Sequence, residues 1–239
     1  PAVITIVCLL MIGLVVYAKA SVPGEETGHP QAGEEWVASY AFRVCDEEFT
    51  LTGTPAELTK DASTGNPDSL SAGDVASSSD GIIHYHPQTG GATGRRAKLG
   101  VFLDVYDITL TDTKLELPAS QVEAGETRSW DIEDDDVFKG TACEGEDAVL
   151  KVRVWNDFTT GEFFDNVTDF RNLRFNNNGM VFAIAVVPND TEIAKPDSAN
   201  KLADLGVIGA GSAASTTTTV TGDAAVTTTT AAAATTTTT

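Results

Sequence analysis

Apolar positions fall in short blocks along this chain, and most blocks read as strands. Trp36 to Val44 alternates, with Trp36, Ala38, Tyr40, Phe42 and Val44 on one face. That pattern predicts a half-buried strand ending at Cys45. Gly81 to Pro87 reads as a short strand, and Leu99–Val105 and Ile108–Leu117 as two more, either a hairpin around Tyr106-Asp107 or one bent strand. Ala148 to Trp155 alternates cleanly, with Leu150, Val152 and Val154 facing one way, and Phe163 to Phe175 holds a further strand. Asn176 to Gly179 is turn composition. Met180 to Val187 is an unbroken apolar run stopped by Pro188, the candidate for a central strand. Thr50 to Asp80, rich in Thr, Ser, Gly, Asp and Pro, reads as a long surface loop with a short helix at Pro55–Lys60. Asp197 to Gly206 reads as a short helix capped by Asp197 or Ser198 and stopped by Gly206. No sustained helical period follows residue 23.

The apolar block at Ala2–Ala18 carries no charge and is closed by Lys19 and Pro23. At 1.5 Å per residue its helix would span roughly 26 Å, slightly short of a ~30 Å hydrocarbon core. A single-pass anchor is the favoured reading. A secretory signal competes, because Ala18-Lys19-Ala20 has the small-x-small form of a cleavage site. An assembly helix of the pilin kind is the third reading, although the Glu that type IV pilins carry near the mature N-terminus is lacking. All three put residues 21–239 outside the cytoplasm. The expected architecture is mainly β: an N-terminal transmembrane helix (1–20), a linker (21–35), a β-sandwich-like or β-dominated α+β extracytoplasmic domain (36–208) and a Thr/Ala-rich low-complexity tail (209–239).

Charge narrows the function. A net charge of −20 argues against nucleic acid and against adsorption to anionic headgroups. It suits a solvated, exported surface. Of the three cysteines, Cys8 lies in the apolar block and reads as a small hydrophobe. Cys45 and Cys143 remain, and in an oxidising compartment they most simply form a disulfide. Closing a loop of about 100 residues is worth roughly 4–5 kcal/mol in the chain-entropy treatment.

Few residues can carry chemistry. His84 and His86 sit two apart in a strand, so both imidazoles share a face and can meet one transition metal. A third ligand would come from His29, Asp80 or an acidic loop residue; the competing reading is a hydrogen-bonded pair on a polar face. The acidic run Asp131–Asp136 lacks the spacing of a calcium loop. Gly90–Gly94 with Arg95-Arg96 lacks the Lys-Ser/Thr of a phosphate loop and reads as a turn. Asn166 and Asn189 head formal glycosylation sequons. No nucleophile elbow or Ser-His-Asp set occurs, so no catalytic or cofactor-binding residue is expected.

Trp36–Cys45, Asp80-Gly-Ile-Ile-His-Tyr-His-Pro87, Leu99-Gly-Val-Phe-Leu-Asp104 and the strand ending in Trp155 resemble an uncharacterised family of membrane-anchored actinobacterial envelope proteins. The resemblance covers roughly residues 36–205 and implies an envelope location. That family often carries further His just before the His-x-His strand, where this chain has Ser77-Ser-Ser-Asp80. Three functions are expected in order: a non-catalytic, membrane-anchored structural or accessory subunit of an envelope complex, with lipid and other subunits as partners; a pilin-like filament subunit; and an extracytoplasmic metal-binding protein using His84 and His86.

Overall fold

The computed structural model describes residues 11–14, 17, 29–51, 75–77, 80–122 and 126–209. The expected apolar segment at 1–20 is described only at 11–14 and 17, and the expected helix at 55–60 and the tail from residue 210 lie outside the described residues. Among the described residues, no helix is long and apolar enough to cross a membrane.

The domain is mainly β. Its strands are β1 (Trp36–Val44), β2 (Glu47–Phe49), β3 (Val75–Ser77), β4 (Ile82–Tyr85), β5 (Thr109–Leu110), β6 (Lys114–Glu116), β7 (Ser129–Asp131), β8 (Ala148–Trp155), β9 (Phe164–Asn166) and β10 (Val181–Pro188). Among the described residues, seven of them form one mixed sheet in the order β3-β4-β1-β10-β8-β9, with β2 also paired to β1. β5, β6 and β7 form a second, antiparallel sheet. β1 and β10 run parallel, with Ser39 opposite Val181 and Val44 opposite Val186. The other pairings in the large sheet are antiparallel.

The unbroken apolar run of β10 has a direct cause: the strand is central and covered on both faces. Phe182, Ile184 and Val186 enter the main core with Tyr40, Phe42, Phe102, Leu115 and Val152. Val181, Ala183, Ala185 and Val187 enter a second cluster with Val37, Ile82, Ile193, Ala199 and Leu202. The small sheet covers the first face, where Phe49 meets Trp130 at 5.8 Å between ring centroids. The chain beyond β10 covers the second face, ending in a 3-10 turn at Asp197–Asn200 and a one-turn helix at Lys201–Asp204.

That returning segment is held by cations. On β8 the positions between Leu150, Val152 and Val154 are Lys151 and Arg153, both buried. Lys151 Nζ donates to the carbonyl of Asn189 at 3.1 Å, and Arg153 Nη1 to that of Ile193 at 2.9 Å. Lys195 in turn donates to the carbonyls of Phe158 and Thr160 at 2.6 and 2.7 Å, and its burial lowers the affinity of its amine for a proton. Arg153 also forks onto Asp165 of β9 at 2.7 and 2.8 Å. The Arg153 guanidinium holds the Asp165 carboxyl below the usual carboxylate range.

Three sequence expectations need correction. Leu99–Val105 is an α-helix, α1, and not a strand. All of its residues except Asp104 are buried, and a short apolar run enclosed on every side has no period to tell helix from strand. Gly100 permits its close seat, since a Cβ there would lie 2.8 Å from the Arg171 carbonyl oxygen. Tyr106-Asp107 is therefore a helix end and not a hairpin tip. Asp107 takes φ +55°, and the amides of Ile108 and Asp107 bond back to the carbonyls of Leu103 and Asp104 in a Schellman pattern. The hairpin lies later, between β5 and β6, where the Thr111 hydroxyl accepts the Lys114 amide at 3.0 Å. The expected loop at 50–80 also contains an element, β3, paired to β4.

Cys45 and Cys143 form the expected disulfide, with both residues buried and Cα atoms 5.5 Å apart. It fastens the end of β1 to the turns that precede β8. Cys45→Ser with Cys143→Ser should therefore lower stability by about 4 kcal/mol, read as a reduced urea midpoint with an increased slope. Asp165→Asn should lower it by about 1–2 kcal/mol at pH 7; the carboxylate is partly exposed, which discounts the loss of an enclosed partner for Arg153. Because Asp165 is depressed in the folded state, its contribution is complete above about pH 4 and fades as pH falls further. The gap between wild type and Asp165→Asn should therefore narrow progressively as the pH is lowered below about 4.

Candidate metal centre

β1 and β4 run antiparallel with Val37 opposite His84 and Trp36 opposite Tyr85. Ile83 and Tyr85 face the main core, which turns His84 and His86 to the other side of the sheet. Tyr85 is anchored below by its hydroxyl, which donates to the Ala92 carbonyl at 3.0 Å. The two imidazole rings lie 6.2 Å apart with planes within 7° of parallel, the spacing of alternate residues along a strand. One step beyond the Trp36–Tyr85 pair, Glu35 comes opposite His86. The Gly33 amide donates to the Pro87 carbonyl at 3.0 Å and keeps the two segments together past the strand ends.

Glu35 Oε1 sits 3.8 Å from His84 Nδ1 and 3.9 Å from His86 Nε2. These are longer than hydrogen bonds. One ligand atom from each of the three residues lies within 4.8 Å of the others. At metal–ligand distances of about 2.0–2.2 Å, the ligands of a tetrahedral ion stand roughly 3.3–3.5 Å apart. The two Glu35 distances therefore exceed the ligand spacing by about half an ångström. Glu35 can close that gap by rotation, since its side chain is 62% exposed, whereas His84 is held on the strand at 25%. Among the described residues, neither imidazole makes a hydrogen bond to the protein. Two imidazoles and a carboxylate suit borderline ions such as Zn²⁺, Ni²⁺ or Cu²⁺ better than Ca²⁺, which takes oxygen ligands.

The other third ligands considered from sequence are occupied elsewhere. His29 Nδ1 lies 2.8 and 2.9 Å from the two Glu34 carboxylate oxygens. That contact and the Gln31 amide hold the Glu34 carboxyl below the usual carboxylate range. Asp80 Oδ1 accepts the Ile82 amide at 3.0 Å and closes the turn into β4. Glu35 was hidden in the sequence because only the pairing register brings it beside the histidines. The available signal was an acidic residue directly before the strand that pairs with the His-x-His strand.

The remaining motifs are structural. Asp131 and Asp134 each accept an amide two residues on, from Glu133 and Asp136, both at 3.1 Å. The Gly90–Gly94 turn is closed by Arg96 donating to the Gly90 carbonyl at 3.2 Å. Asn189 is exposed in the turn after β10, whereas the Asn166 amide nitrogen is enclosed on β9. No family model, no curated protein and no solved structure matches this chain.

Proposed function

We propose that this protein is a non-catalytic, extracytoplasmic accessory subunit whose β domain holds one divalent transition metal at Glu35, His84 and His86. The observation that carries the reading is the convergence of three chemically compatible ligands from two paired strand ends. A site fixed by register needs no folding around the ion, so uptake can be reversible, with the fourth position left to water or to a partner's ligand. The solvent-facing placement of Glu35 suits exchange of the ion with the surroundings.

The buried disulfide supports an oxidising compartment. The apolar block at the start of the chain and the resemblance to envelope proteins favour attachment at the membrane, with partners among the subunits of an envelope assembly. In this setting the strongly acidic surface serves solubility, and it concentrates cations near the site.

Purified protein titrated with Zn²⁺, Ni²⁺ and Cu²⁺ in a calorimeter should take up one equivalent of at least one of them. His84→Ala and His86→Ala should each weaken uptake at least tenfold, and Glu35→Gln less. Absence of uptake of all three ions, or a His84→Ala variant that binds as the wild type does, overturns the metal reading. Cell fractionation tests the placement separately: membrane association with protease access from outside is expected, and recovery in the cytosol overturns it.

A further inference from the structure

Large apolar side chains are scarce on the acidic surface, and those that the structure exposes beyond residue 17 fall in two short segments. They are Phe163, Phe164 and Val167 around β9, and Leu205 and Ile208 after the last helix. Between them lies a groove of about 590 Å³, within the size range of small-ligand sites. Its walls are Phe163, Phe164 and Ile208 on the apolar side, with Asn156, Asn177 and Glu162 among its polar groups.

The aromatic wall is built and not merely left over. Phe163 is half exposed, yet its ring is fixed by the Arg153 guanidinium 3.7 Å from its centroid and by Trp155 at 5.9 Å. The polar side is pre-set by its own backbone. The Asn178 side chain accepts the Val37 amide at 2.8 Å, and the Gly179 amide donates to the Val37 carbonyl at 2.8 Å, which fixes the Asn176–Gly179 turn against β1. Among the described residues, the Asn156 side-chain amide and the Glu162 carboxylate make no hydrogen bond or ion pair.

Charge excludes an anionic ligand. The groove carries Asp157 and Glu162, and the nearby cations are engaged: Arg153 with Asp165 and the Ile193 carbonyl, Lys195 with two carbonyls. An anion would meet carboxylates and no available positive partner. A ligand suited to this lining carries no negative charge, with an apolar face for the phenyl rings and a rim of hydroxyls for amides and a carboxylate. A pyranose has that form: its C–H face packs on aromatic rings and its hydroxyls both donate and accept. We propose that this groove binds a neutral oligosaccharide.

The groove is separate from the metal centre, and the proposal does not rest on that reading. Calorimetry and ¹H NMR of the full chain with N-acetylchitotetraose and with cellotetraose, in buffer containing EDTA, test it. Saturable binding of at least one tetrasaccharide is expected. Phe164→Ala should weaken it about three- to tenfold, the loss of one aromatic contact. Phe163→Ala also removes the ring over Arg153, so Glu162→Gln is the second variant, with weaker binding and an unchanged urea midpoint expected. Absence of binding to both sugars, or Phe164→Ala and Glu162→Gln variants that both bind as the wild type does, overturns the proposal. Binding of a proline-rich peptide at the same rings with neither sugar bound overturns it in favour of a protein partner.

Discussion

A sheet whose central strands are apolar on both faces must be covered twice, and the rest of this molecule follows from that requirement. β10 has no polar position between Val181 and Val187, so neither of its faces can meet water. One face is covered by α1 and the small sheet. The other is covered by the chain that returns after Pro188, a segment with few large apolar residues, with Phe158 packed beside it. That segment is fastened instead by donors from below: Lys151 and Arg153 reach its carbonyls from β8. Buried cations are costly unless their donors are used, and here they satisfy backbone oxygens that the covering segment cannot pair by itself.

The two ends of the sheet are specialised differently. β1 ends at Val44, directly before the disulfide-bonded Cys45. At the opposite end lie the starts of β1 and β10, the ends of β4 and β8, and the start of β9. The Glu35, His84 and His86 cluster and the aromatic groove both sit there, joined through Val37, whose carbonyl and amide bond the Asn176–Gly179 turn and whose register partner is His84. One end is covalently fastened, and the other presents the exposed polar and aromatic groups.

How much of this was legible depended on whether the signal was local. Alternation placed β1 and β8, and the closed apolar run placed β10 at the centre. The cysteine pair followed from redox logic alone. α1 was missed because a run enclosed on all sides carries no period, and its αL cap is Asp107 where a Gly would have announced it. The role of Lys151 and Arg153 was hidden because a charged residue on alternate strand positions reads as solvent-facing. His84 and His86 were visible as a pair, but Glu35 needed the register between two strands that lie far apart in the chain.

The parallel pairing of β1 with β10 also sets the order in which the domain can be completed. Ser39 and Val181 bracket most of the chain, so β1 waits for its central partner until nearly the whole domain has been synthesised. Cys45 and Cys143 both precede β10, and their bridge can close first. It shortens the loop that β1 and β10 must then close from about 140 residues to about 45, lowering the entropic cost by about 1 kcal/mol. In that order of events the disulfide acts as a folding guide, holding an early strand near the place where the last one arrives.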